Sequence, residues 1–86
     1  MIRLVLADDR ALLRDGLRRI LTDSGVITVI AETGTGPDLL NLSADIDPHV
    51  ILIGVAQNWP HVISLIPALV RDRPAGILLL GDRRPI

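Results

Sequence analysis

Apolar residues in this chain follow two rhythms. Four short runs, Ile2–Ala7, Ile27–Ala31, Val50–Ile53 and Ile77–Leu80, are apolar at almost every position, as in strands covered on both faces. Between them the apolar positions recur at helical spacing. From Arg10 to Ser24, Leu13, Leu17, Ile20 and Leu21 alternate with Arg14, Asp15, Arg18 and Arg19, which predicts an amphipathic helix stopped by Gly25. Thr33-Gly34-Thr35-Gly36-Pro37 reads as a loop that feeds Pro into the first turn of a short helix, Asp38 to about Ala44. Asp47-Pro48 marks a turn. A third helix is expected over His61–Arg71, kinked or restarted by Pro67. The order β-α-β-α-β-α-β predicts a parallel α/β sheet with right-handed crossovers and helices on both faces.

The pattern then stops. Gly81-Asp82-Arg83-Arg84-Pro85-Ile86 reads as a loop, so a fourth strand at the sheet edge would present backbone groups that this chain does not pair. At 86 residues the chain is expected to form one domain around one core. Hydrophobic residues make up 49% of it and aromatic ones 1%, so that core must be Leu, Ile, Val and Ala. Trp59 is the lone aromatic. Nine basic against ten acidic residues leave a net charge of −1, which predicts no direct contact with nucleic acid or an anionic membrane. The bases are all Arg, so no site here can use a lysine. The absence of cysteine excludes disulfides and thiolate chemistry. The N-terminus lacks the features of a signal peptide and no apolar run could span a bilayer, so a soluble, cytoplasmic protein is expected.

Ligands of open parallel sheets bind beyond the carboxyl ends of the strands. The residues placed there are Asp8, Asp9, Glu32, Gly54 and Gly81. The adjacent carboxylates Asp8 and Asp9 suit a Mg²⁺ ion; equally, either can cap the helix that follows. His49 and His61 lack the further ligands of a zinc site. Gly34-Thr35-Gly36 lacks the spacing of a phosphate loop and reads as a tight turn. Arg14, Arg18 and Arg19 form a basic strip, read as a solvated face. Trp59 either stacks on a ligand or lies back over the apolar surface.

IRLVLADDRALLRDGLRRIL, VIAETGTGPDLL, DPHVILIGVAQNWP and ILLLG together resemble the receiver domain of bacterial response regulators, particularly those with a helix-turn-helix output domain. The likeness runs through nearly the whole chain. It implies a flavodoxin-like sheet, here incomplete, with about four strands and three helices and without the final α-β-α portion. Asp8 and Asp9 match the family's metal-binding acidic pair. Gly54 stands where the family has its phospho-acceptor aspartate, and Gly81 where it has the Ser or Thr that answers phosphorylation. The family's lysine would lie beyond Ile86. Gln57-Asn58-Trp59-Pro60 replaces the usual Met-Pro-Gly-like turn.

Phosphoryl transfer needs a nucleophile in line with phosphorus, a metal and cations, and Gly54 offers no nucleophile. The expectation is therefore an atypical, phosphorylation-independent receiver-like domain of a transcriptional regulator, not itself an enzyme. It would act by homodimerisation or by binding a small molecule in a pocket formed by Asp8, Asp9, Gly54, Trp59 and Gly81, and reach DNA only through an output domain absent from this chain. No cofactor is expected beyond a vestigial Mg²⁺ at Asp8 and Asp9. Two alternatives stand beside this reading: a Mg²⁺-dependent phospho-acceptor that uses the acidic pair, and a fragment that serves only for interaction.

Overall fold

The computed structural model describes residues 1–56, 59–71 and 75–81 of the 86. Its elements are β1 (Ile2–Ala7), α1 (Ala11–Asp23), β2 (Ile27–Thr33), α2 (Pro37–Asp45), β3 (Val50–Val55), α3 (Trp59–Val70) and β4 (Gly76–Gly81). The strands form one parallel sheet in the order β2-β1-β3-β4. The chain thus moves from β1 outward to β2 and crosses back past β1 to β3, the switch in strand order that opens a crevice at the carboxyl ends.

Register sorts the side chains. Val5 pairs with Ile51 and Ala7 with Ile53; these four are fully buried and share a core with Val55, Leu39 of α2 and Val62, Leu65 and Leu69 of α3. The alternate positions of the same strands look to the α1 side, where Leu4 and Leu6 are buried. Cover on that side thins toward β4. Leu52 is half-buried, and Leu78 and Leu80 are 56% and 43% exposed. Among the described residues β4 pairs with β3 alone and is the outermost strand.

A bulge in β2 changes its phase. Leu4 pairs with Val29 but Val5 with Ala31, so Ile30 is the extra residue, and Glu32 arrives opposite Leu6 on the α1 side. There it meets Arg18 at 3.1 Å and Arg14 at 3.6 Å. Asp15 holds Arg18 and Arg19 along the helix. The basic strip is thus an ion-pair network, which corrects the expectation of a merely solvated face. Arg18's hydrogen bond keeps the Asp15 carboxyl below its ordinary pKa.

Gly25 ends α1 as expected, at φ 78°, the left-handed conformation that closes a helix at the residue after its cap. Other boundaries differ from expectation. β3 and β4 run on through Gly54 and Gly81, so those glycines are strand residues and do not begin loops. α3 starts at Trp59, with Pro60 in its first turn, and continues through Pro67. The anticipated restart does not occur. Gln57, Asn58 and the tail after Gly81 lie outside the described residues.

Pro67 is exposed on α3 and withholds the N–H that would bond the carbonyl four residues earlier, a cost of up to about 3 kcal/mol. Pro67→Ala is therefore expected to raise unfolding free energy by roughly 1–3 kcal/mol in urea titration. No change, or a loss, would mean that the proline shapes the packing of α3.

Candidate functional site

The register that builds the sheet also builds the site. One residue beyond the pair Ala7–Ile53, Asp8 and Gly54 come side by side at the carboxyl ends of β1 and β3. Asp8 is 1% exposed, and its carboxylate lies where a side chain on residue 54 would be. A Cβ built on Gly54 would overlap Asp8 Oδ2, sit 2.7 Å from Asp8 Cγ and come within 3.3 Å of Arg10 Nη2. There is no empty acceptor hole at Gly54.

Arg10 makes that burial tolerable. Its backbone N–H and its Nε donate to Asp8 Oδ1 at 2.8 and 3.0 Å, and its Nη2 donates to Oδ2 at 3.0 Å. This is a bidentate guanidinium–carboxylate fork with a backbone donor added. Arg10 stands at the N-cap position of α1 in extended conformation, which lets the side chain fold back over the strand end. Neither Asp8 nor Asp9 caps the helix: the cap residue is Arg10 and it makes no side-chain cap bond. Arg14 adds a donor, from Nη1 to the Asp8 carbonyl at 2.9 Å.

Asp9 points the other way, toward the loop between β2 and α2. Thr35 donates its backbone N–H to Asp9 Oδ1 at 2.7 Å and its hydroxyl to Oδ2 at 2.6 Å. Those bonds, the hydroxyl first, hold the Asp9 carboxyl below its ordinary pKa, and His61 and Arg14 contribute. His61 Nε2 donates to the Thr35 carbonyl at 3.2 Å. Thr35 is buried, so the glycine-flanked turn is an anchor between Asp9 and α3. His49 is far from this cluster in the sheet: its Nδ1 accepts the Arg3 N–H at 2.9 Å.

Gly81 is filled in the same manner as Gly54. A Cβ there would overlap the Trp59 ring and lie 3.0 Å from both Trp59 Cη2 and the Val55 carbonyl. Trp59 packs against the core, with its indole Nε1 buried and unpartnered among the described residues.

A pocket of about 180 Å³ opens beside the site, lined by Asp8, Asp9, Arg10, Thr35, Gly54, Val55, Ala56 and Val62. Of the residues named from the sequence, Asp8, Asp9 and Gly54 line it; Gly81 and Trp59 do not line it and close on each other. Arg10 and Thr35 are the residues that sequence reasoning missed. The signal for Arg10 was a cation two residues after a carboxylate bound for burial.

The residues present do not fit the divalent cation that the acidic pair suggests. Both Asp8 oxygens face a guanidinium and both Asp9 oxygens are taken by Thr35. Among the described residues no group of three or more His, Cys, Asp or Glu is placed to hold a metal.

No protein-family model matches the chain. It is 30% identical over 74 residues to the response regulator GacA of Pseudomonas aeruginosa, covering 86% of this chain and 35% of GacA. It is 41% identical over 54 residues to YxjL of Bacillus subtilis, an uncharacterized transcriptional regulatory protein, covering 63% and 25%. It is 31% identical over 81 residues to protein-glutamate methylesterase/protein-glutamine glutaminase 2 of Carboxydothermus hydrogenoformans, covering 94% and 23%. The chain thus spans about a third or less of the length of these relatives. The signal receiver domain of NarL from Mycobacterium tuberculosis superimposes with a TM-score of 0.79 at 26% identity, over 98% of this chain and 68% of that one. No helix among the described residues is long and apolar enough to cross a membrane. Strand order, the acidic pair at the end of β1 and these likenesses agree: the chain has a receiver-like α/β fold and is similar to the receiver portions of response regulators.

Proposed function

We propose that this domain is a phosphorylation-independent regulatory module of a transcriptional regulator, and that it signals by association with a second copy. The observation that carries the first half is the Asp8 carboxylate in the side-chain space of residue 54. A receiver that takes a phosphoryl group needs a nucleophile there and room for the group; here that volume holds a clasped carboxylate. Asp8 cannot serve as the nucleophile while its oxygens face Arg10, and Thr35 holds Asp9. The transcriptional output follows the likeness to YxjL; the likeness to the methylesterase belongs to the module that these proteins share with this chain. The DNA-contacting part would lie outside this chain.

Association is supported by the edge strand and by the thinning cover over it. Leu78 and Leu80 project to the α1 side of β4, and burying the half of each that is still exposed is worth about 1.5–3 kcal/mol together. A symmetric pairing of β4 edges would bury both and satisfy the outer backbone groups.

Two outcomes test this reading, and a third tests the packing at Gly81. Incubation with acetyl phosphate and Mg²⁺ should leave the intact mass unchanged; stoichiometric phosphoryl uptake that disappears in Asp9→Asn would restore the phospho-acceptor alternative. Light scattering at micromolar concentrations should give a dimer that Leu80→Glu converts to monomer, and a folded native monomer would remove the association half. In Gly81→Ala the new methyl group must displace Trp59, so the emission of this sole tryptophan should shift to the red and its quenching by acrylamide should rise. Unchanged emission would mean that the indole can share the space.

A further inference from the structure

We infer that Arg10 is the resident cation of this site: its guanidinium does for Asp8 what a divalent metal would do, and it makes the domain insensitive to Mg²⁺. The inference concerns the cation alone and stands whether or not the domain dimerises.

A carboxylate as buried as Asp8 needs a positive partner within bonding distance. Arg10 supplies one from two residues away, through Nε at 3.0 Å and Nη2 at 3.0 Å, with its own backbone N–H at 2.8 Å as a third donor. All three bonds come from the residue that follows the acidic pair, so they form whenever α1 docks. A metal entering between Asp8 and Asp9 would have to displace a bidentate fork whose entropy is already spent. It would also approach a unit positive charge at close range, and Arg14, which bonds the Asp8 carbonyl, adds a second. Mg²⁺ loses its water reluctantly and keeps few protein ligands; at Asp9 it would further have to break the two Thr35 bonds. His61, bonded to the Thr35 carbonyl, offers no compensating charge of the needed sign. Arg10 holds both Asp8 oxygens, so removing its charge should let a cation reach Asp8.

The native chain titrated with MgCl₂ and MnCl₂ should show no change in Tm, in Trp59 emission or in the free Mn²⁺ spin-resonance signal through the millimolar range. Arg10→Gln removes the charge and half of the fork, and should bind Mn²⁺ at least about tenfold more tightly than the native chain. Adding Asp9→Asn to that variant should abolish the gain. Arg10→Lys keeps a cation at the site and should remain insensitive. Native binding of Mn²⁺ in the millimolar range would overturn the inference without any variant. An Arg10→Gln chain that folds, judged by circular dichroism, and still ignores Mn²⁺ would overturn it as well. Neither result bears on phosphoryl uptake or on dimer mass, which are read separately.

Discussion

A carboxylate at the buried end of a parallel strand must be neutralised by something, and in this molecule the neutralising group is two residues down the same chain. Pairing of β1 with β3 fixes Asp8 beside Gly54, the missing side chain at 54 lets the carboxylate lie across the strand ends, and Arg10 closes over it. Each condition requires the others. With a side chain at 54, Asp8 has to move; without Arg10, a buried charge is uncompensated, a situation that costs several kcal/mol wherever it arises. The position of α1 is tied to the same contact, since Arg10 is its N-cap residue and Arg14 reaches back to the Asp8 carbonyl.

Glycine at 54 and glycine at 81 have a common physical consequence. Protein interiors are packed to crystal density, so volume removed at one position is taken by a neighbour. Asp8 takes it at the end of β3, and Trp59 takes it at the end of β4. The second exchange is imperfect, because the indole Nε1 has no partner among the described residues, a deficit of about 1–3 kcal/mol for a buried donor. The first is fully satisfied by hydrogen bonds. The two sites where a receiver would change state are therefore unequal: the one at 54 is held firmly, while the one at 81 carries a polar atom that gains a bond if the ring moves out.

Much of the architecture was legible in the sequence because apolar periodicity reports burial directly. The run Ile2–Ala7 breaks off at two carboxylates and so marks the strand end to the residue. Glycine obscured the other ends: Gly54 and Gly81 lower strand propensity, yet their backbones pair in register like any others. Trp59 was assigned to a loop although Pro60 is a residue that favours the first turn of a helix. Pro67 does not restart α3, because Val62, Leu65 and Leu69 bury one face of it and packing outweighs a single lost hydrogen bond. The acidic pair was visible, but its partners were not. Thr35 gains its role from a crossover that places residues 26 apart within bonding distance, of which local patterns carry no record; Arg10 is only two residues from Asp8, but its role depends on the β1–β3 register that buries that carboxylate.

What the fold leaves uncovered in this domain is part of its surface. On the α1 side burial falls across the sheet, from Leu4 and Leu6 to Leu78 and Leu80 at 56% and 43% exposure, and among the described residues β4 pairs on one side only. If the centre of the site is satisfied internally by Arg10, a signal arriving there has little free energy to redistribute, because a ligand shifts an equilibrium only by its differential affinity for the two states. The uncovered leucines and the open edge are where such a difference is large. A second chain on β4 would gain apolar burial and backbone bonds together, and could bias Trp59 through Gly81, which is the last residue of that same strand. Under the proposed reading, control in this receiver has moved from the pocket to the edge of the sheet.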